Sequence, residues 1–398
     1  MRVASRPLRE HRGVSEARKA EPASTRLARE GTGSGSRIDI TKEDKGMNRF
    51  CVGIDVSAKK LDVAYRNSKG GVERQTVANE PAGHAQLVRH LKKRAAGKVI
   101  RVVLESTGVY GLDLAMALDR AGVELMVVNP RASANFAKAT MQRSKTDRLD
   151  CTMLLEFAEQ MAFKPWRAPS AAQLQIRMIS RRVHALMGTI RDEKNRLHAA
   201  NQVKGTDVVK RSIRATIKAL DKQVLELRAA SLAMIQSEPL LARRYELLLT
   251  VKGIGQISAI AILSELAVLA SDMTDRQWVA HAGLDPREFE SGTSIRMPPR
   301  ISKRGNKYLR SALYLPARVA CRFEPGVAGY AARLRERNKK PLQVHVAVMR
   351  KLLHSIHAMF STDQEFDGRR FYPTAAEPVG TSGIASSAIS EVSTGLSA

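Results

Sequence analysis

Apolar and polar residues alternate through "FCVGID" and "LDVAYR", and a short Ser-Ala-Lys-Lys turn separates the two runs. A period of two over four to eight residues predicts half-buried strands. "GVERQTV" predicts a third, weaker strand, and "AGHAQLVRHLKKRA" has helical spacing. "VIRVVLE" is continuous enough for a buried strand and ends on Glu105. "YGLDLAMALDRAG" predicts a helix closed by Gly122, a common helix stop. "VELMVVN" predicts another strand, ended by Pro130, and a helix is expected from about Asp147 through "RLDCTMLLEFAEQM". Strands first, then strands alternating with helices, predict an α/β domain with a mixed sheet over residues 47–165.

The period then changes. From Ala171 to about Asn201, apolar residues fall at Ile176, Ile179, Val183, Leu186, Ile190 and Leu197. A second run has Ile213, Ile217, Leu220, Val224, Leu227 and Met234. Alternating steps of three and four mark a heptad seam, and "NQVKGTD" between the runs is a turn. Residues 171–240 therefore predict two long helices. They form either a hairpin packed within one chain or a coiled-coil dimerisation arm. Residues 245–372 predict a mostly α-helical C-terminal domain in which Gly and Pro cluster at 281–305 and a basic helix begins near Asn306. Residues 1–46 are polar, basic and poor in large apolar groups, which predicts disorder. Order is expected to begin at Met47, the expected biological start; a genuine basic arm is the rival. Residues 373–398 predict a flexible tail.

Charge sharpens this picture. The 398 residues carry a formal net charge of +27 and a pI near 10.4, which points to a polyanionic partner, nucleic acid above all. No stretch is long and apolar enough to span a bilayer, so a membrane partner is not expected. No secretory signal is visible. Cys51, Cys151 and Cys321 are far apart and offer neither a disulfide framework nor zinc spacing, which fits a reducing cytoplasm. No HExxH motif and no P-loop occurs.

Four acids stand at informative places. Asp55 ends the first strand and Glu105 ends a central one. Asp147 and Asp150, in "RSKTDRLDC", share one face of a helix start because i and i+3 are neighbours there. Converging carboxylates repel unless cations neutralise them, and hard oxygen ligands suit Mg2+ or Mn2+. Singly, each acid has a structural explanation: a turn, a cap, a helix-dipole charge or a surface ion pair. Together, in this order on an α/β pattern, they indicate a ribonuclease-H-like nuclease. "LLLTVKGIGQISAIAILSEL" is helix-hairpin-helix-like, with Lys252, Gly253 and Gly255 placed to meet a phosphate backbone, or else a tight turn inside a core. Arg300, Lys303, Arg304, Lys307 and Arg310 form a dense basic run, a candidate phosphate-contact surface. Ser291 lies in a Gly-containing loop beside it, with no base named by its sequence neighbours.

The motifs "GIDVSAKKLDVA", "LESTGVYG", "VVNP", "SKTDRLDC", "VKGIGQISA", "HAGLDPREFESG" and "ISKRGNKYLRSALY" resemble, in order, those of the IS110 group of insertion-sequence transposases. These are also called DEDD transposases and bridge-RNA-guided recombinases. The resemblance spans roughly residues 48–365. It implies a RuvC-like, ribonuclease-H-fold domain, a coiled-coil region and a C-terminal transposase domain. It implies that Asp55, Glu105, Asp147 and Asp150 are the metal-binding acidic tetrad and that Ser291 is the nucleophile. Where the group carries two serines before the glycine, this chain has Glu290-Ser291, with Ser294 as the alternate. The resemblance further implies a bacterial, nucleoid-associated enzyme that works as a homodimer or tetramer on DNA element ends and target, guided by an element-encoded RNA. A water-driven nuclease of branched DNA and an inactive nucleic-acid-binding remnant are the alternatives. An actin-like sugar kinase, which also opens with "GID", lacks a second phosphate motif here.

Overall fold

A computed structural model describes residues 48–106, 108, 110–140, 147–291 and 295–371. The expected N-terminal extension and C-terminal tail lie outside these residues.

The first half is a five-stranded sheet between helices. The strands and helices run β1 (Arg49–Val56), β2 (Lys60–Arg66), β3 (Val72–Ala78), α1 (Pro81–Ala95), β4 (Val99–Glu105), α2 (Leu112–Arg120), β5 (Glu124–Val128), α3 (Pro130–Ala139) and α4 (Asp147–Gln160). The sheet order is β3-β2-β1-β4-β5. β1, β2 and β3 pair antiparallel, whereas β1–β4 and β4–β5 are parallel, so the sheet is mixed as the pattern predicts. Alternation along the strands divides the two faces. Val52, Ile54, Leu61, Val63, Val102 and Leu104 are fully or almost fully buried against α1 and α2. Removing such side chains from water contributes about 1.5–3 kcal/mol each. The opposite face, with Gly53, Ala64 and Val103, is covered by α4 and the end of α3.

Gly53 sets that second packing. A methyl group there would collide with the backbone of Cys151 and Leu155, so α4 rests directly on β1. Cys51, earlier on β1, reaches Ala158, later on α4. The helix therefore runs antiparallel to the strand, and its first turn lies beside the strand's C-terminal end. Pro130 does end a strand, but it also starts α3: it occupies the first helical position, where a missing N–H costs nothing, and Asn129 caps the turn by accepting from Arg131 N. The sequence pattern gave only the stop, because α3 is short and nearly all polar or small.

The second half is mostly helical, as expected. The long helices α5 (Ala171–Asn201) and α6 (Asp207–Ser237) pack on each other as a hairpin within one chain. Leu186, Ile190 and Val224 are buried between them, while Val183, Ile217, Leu220 and Leu227 are only partly covered. After them come α7 (Pro239–Leu249), α8 (Gln256–Leu266), α9 (Asp275–His281), β6 (Pro286–Ser291), β7 (Ile295–Ile301), α10 (Lys307–Phe323), α11 (Pro325–Glu336), α12 (Pro341–Thr362) and α13 (Gly368–Phe371). One apolar core joins the base of the hairpin, Ile176 and Ile235, to α7 through α13. The antiparallel pair β6–β7 is a finding the pattern did not show. Its strands are polar and interrupted by prolines, so neither alternation nor apolar content marks them.

Candidate active site and nucleic-acid interface

The parallel register of β1 and β4 pairs Ile54 with Leu104, so one step further on Asp55 and Glu105 stand side by side at the strand ends. Both belong to the face that α4 covers, since their neighbours Ile54 and Leu104 point to the other core. Asp150 lies in the first turn of α4, one residue before Cys151. Burial pushes the Cys151 thiol's pKa up, and the charges of Asp62 and Asp55 push it the same way. Asp55 is thus within electrostatic reach of the α4 start. The fold brings Asp55, Glu105 and the turn holding Asp147 and Asp150 to one end of the sheet. The side chain of Asp147 is outside the described residues, and among the described residues no three acidic, histidine or cysteine side chains gather tightly enough to hold a metal ion. The donor set still suits a hard divalent cation: carboxylate oxygens only, on three elements that meet.

Partners of these acids were not legible in the sequence. Ser133, 1% exposed on α3, donates to Glu105 Oε2 at 2.6 Å and shares its hydroxyl with Pro130 O. Asp62 sits opposite Asp55 across β1–β2. It accepts from Thr76 Oγ1 at 2.6 Å and pairs with Lys60 at 3.0 Å. A carboxylate on the same face of a period-two strand was the available signal for Asp62; Ser133 had none.

The other predicted residues fall on the helical half. Ser291 is the last residue of β6, paired with Ile295, and so stands at the hairpin tip rather than in a free loop. Its side chain, and Ser294 altogether, lie outside the described residues. Arg300, Lys303, Arg304 and Lys307 are exposed. Arg310 is engaged internally, donating to Ala282 O at 2.8 Å. Slight desolvation of this exposed side chain and the nearby guanidiniums of Arg131 and Arg287 lower the pKa of Arg304. The basic run is thus within electrostatic reach of Arg131 at the start of α3, two residues from Ser133. Lys252 is exposed and pairs with Glu324 at 3.7 Å. Gly253, at φ 107°, has no room for a side chain because Pro316 O of α10 lies against it. Gly255 is open and leads α8 without a side-chain cap.

One buried acid anchors this region. Glu265 on α8, 1% exposed, accepts from Arg181 at 2.7 and 3.0 Å, Arg177 at 3.2 Å and Asn306 at 2.6 Å. Burial alone would raise its pKa; the bonds from Arg181 and Asn306 and the charge of Arg177 outweigh that and hold it below the usual carboxylate value. Asn306 in turn caps α10, accepting from Tyr308 N and Leu309 N. Burial, then Arg177, lowers the pKa of neighbouring His281. Sequence reasoning missed Glu265; a lone Glu inside "AIAILSELAVLA" was the available signal for it.

Acidic strand ends beside a basic, helix-rich half define a class of proteins that handle nucleic acid at a charged site. Comparison with known proteins makes this specific. Residues 52–202 match a family model described as an IS110 DEDD transposase, and residues 245–332 match the "Transposase IS116/IS110/IS902 family". The pilin gene-inverting protein of Moraxella bovis is 26% identical over 328 residues, covering 81% of this chain and 99% of its own. The 43.6 kDa protein of insertion element IS110 of Streptomyces coelicolor is 26% identical over 163 residues, 41% of this chain and 39% of its own. The chain belongs to the IS110 family of transposases, enzymes of DNA cleavage and strand transfer. Membership implies dependence on a divalent metal ion. Among the described residues no helix is long and apolar enough to cross a membrane.

Proposed function

We propose that this chain is a site-specific DNA recombinase in which Ser291 is the nucleophile and Asp55, Glu105, Asp147 and Asp150 hold the metal. The observation that carries this reading is the side-by-side placement of Asp55 and Glu105 with the start of α4 folded against them over Gly53. The mixed sheet, with two antiparallel and two parallel strand pairings, supports a ribonuclease-H-like, RuvC-like domain. When bound, Mg2+ (or Mn2+) would neutralise charge on the phosphodiester and stabilise the entering and leaving oxygens. Asp55 and Glu105 would hold it from the strand ends, and Asp147 and Asp150 from the helix.

The Ser291 hydroxyl attacks phosphorus and loses its proton. The bond from phosphorus to one sugar oxygen breaks, and that oxygen leaves as a hydroxyl. The phosphoserine ester keeps the phosphodiester at the same oxidation and bond count, so a second strand's hydroxyl can displace Ser291 and restore it. No external energy source is required. The Moraxella relatives are named for inverting a pilin gene, which favours rejoining over cleavage alone. Arg300, Lys303, Arg304 and Lys307 would meet phosphates, joined by Lys252 and the Gly253–Gly255 turn. An element-encoded guide RNA would choose the sequence. The partly covered α5–α6 seam supports a homodimer or tetramer, and the setting would be the bacterial nucleoid.

The test is recombination of plasmids carrying the element's ends and flanking RNA-coding DNA, with intact protein, Ser291→Ala and Asp55→Ala. Both variants should lose product, and the intact protein alone should trap a DNA adduct. A Ser291→Ala protein that still cuts and joins DNA, while Asp55→Ala is dead, would mean a water- or hydroxyl-driven nuclease.

A further inference from the structure

Between the hairpin and the start of α10 lies a pocket of about 180 Å³ that the proposed chemistry does not use. Its walls come from α5, α6, α8 and α10. Val183, Met187, Ile257 and Ile260 make one side apolar. His184 and Tyr308 add an aromatic pair, rings 5.2 Å apart and edge to face. Two polar side chains of α6 complete it. Ser231 is 1% exposed and its hydroxyl has no hydrogen-bond partner; the Nε of Arg228 is buried and likewise unpartnered. A buried donor without an acceptor is costly, more so when charged, so these groups are placed for something that binds.

The surroundings say what it carries. Arg228 feels the carboxylate of Asp221, but that residue is two turns back on the same helix, and no hydrogen bond between them closes the gap. Ile257 is the second residue of α8, whose start on Gly255 has no side-chain cap. A helix N-terminus and a guanidinium both attract an anion. The ammonium of Lys307 lies 5.2 Å from the Tyr308 ring and extends the positive field to the rim, whereas Arg181, over the same ring, is paired with Glu265. The volume is below the ~300 Å³ of ordinary small-molecule pockets, so it admits one ring while the rest of a longer ligand stays outside. An anion joined to a flat, partly apolar ring is a nucleotide.

We propose that this pocket holds one unpaired nucleotide of a nucleic-acid strand, its phosphate at Arg228 and the start of α8, its base against Val183, Met187 and Ile257. This rests on the reading of the chain as a nucleic-acid enzyme but not on Ser291 or the acidic tetrad. Unpaired bases can be splayed onto apolar and aromatic side chains, whereas paired bases stay in the helix.

The experiment uses the full chain and oligomers of about twelve thymidylates or uridylates, each with a central 5-iodouracil, beside a duplex of equal length. Binding is read by anisotropy at about 0.2 M salt, where backbone attraction is weakened. Arg228→Met removes the anion partner, and Ser311→Trp, from an exposed position at the rim, blocks entry without touching a buried contact. Each should weaken single-strand binding about five- to tenfold, since one stacked base contributes roughly that much, and leave duplex binding unchanged. Photocrosslinks should map to His184, Met187 or Tyr308 and vanish in Ser311→Trp. Which oligomer shows the loss identifies DNA or RNA as the source. Unchanged single-strand binding in both variants, equal losses on duplex, or crosslinks confined to 300–307 would overturn the proposal, as would variants that change only the oligomeric state in sedimentation. Each of these outcomes leaves the plasmid recombination test at Ser291 separately decidable.

Discussion

At the scale of single residues, Glu105 is held as much by Ser133 as by its strand. The hydroxyl at 2.6 Å fixes one carboxylate oxygen, Oε2. Groups that orient a metal-binding carboxylate typically contribute 10- to 100-fold to metal affinity or activity. Ser133→Ala should therefore raise the metal concentration needed for half-maximal DNA cleavage by about tenfold or more, with an unchanged circular dichroism spectrum. A metal titration curve identical to that of the intact protein would remove Ser133 from the site. Asp55 and Glu105 could be read from strand ends in the sequence. Ser133 could not, because its link to Glu105 spans 28 residues and exists only once β4, β5 and α3 pack together.

At the scale of elements, Glu265 binds α5, α8 and the cap of α10 into one unit. Glu265→Ala would strand two guanidiniums. Breaking a buried pair costs about 3–5 kcal/mol, and the lower end is expected here because Arg181 is about one-third exposed. Chemical denaturation would measure it, and a loss under about 1 kcal/mol would show that the network is not structural. The pH dependence has a definite sign. The folded carboxyl titrates below its unfolded value, so its stabilisation is complete above the ordinary carboxylate range, about pH 4.3. It is lost as pH falls through the lower, folded value. Glu265→Gln should be less stable near neutrality and show a flatter decline on acidification. Gly53 works on the same scale: a bare backbone there is what lets α4 carry its acids to the strand ends.

At the scale of the molecule, charge is the dominant property. A net +27 predicts tight, poorly selective DNA binding with a steep dependence on salt. Lys303→Gln with Arg304→Gln should flatten the plot of log affinity against log salt by about two, one for each phosphate contact removed. An unchanged slope would move the phosphate contacts away from this run. Arg310 is expected to differ, because its guanidinium is spent on Ala282 O, so Arg310→Gln should cost stability more than salt dependence.

The sequence alone determined what depends on local pattern: the mixed α/β start, the heptad hairpin, the helical C-terminal half, the basic run and the ordered motifs that carry the family resemblance. Periodicity and composition act within a few residues, and so they are legible. Tertiary structure alone decided what depends on pairing across the chain. It set Asp55 beside Glu105 through strand register, brought α4 over Gly53, and gave Gly253 a packing partner in α10. It also turned the proline-rich stretch around Ser291 into a hairpin and left Arg228 and Ser231 facing a pocket instead of a core. Those arrangements arise from contacts between segments tens of residues apart, where no local spacing records which side chain will meet which.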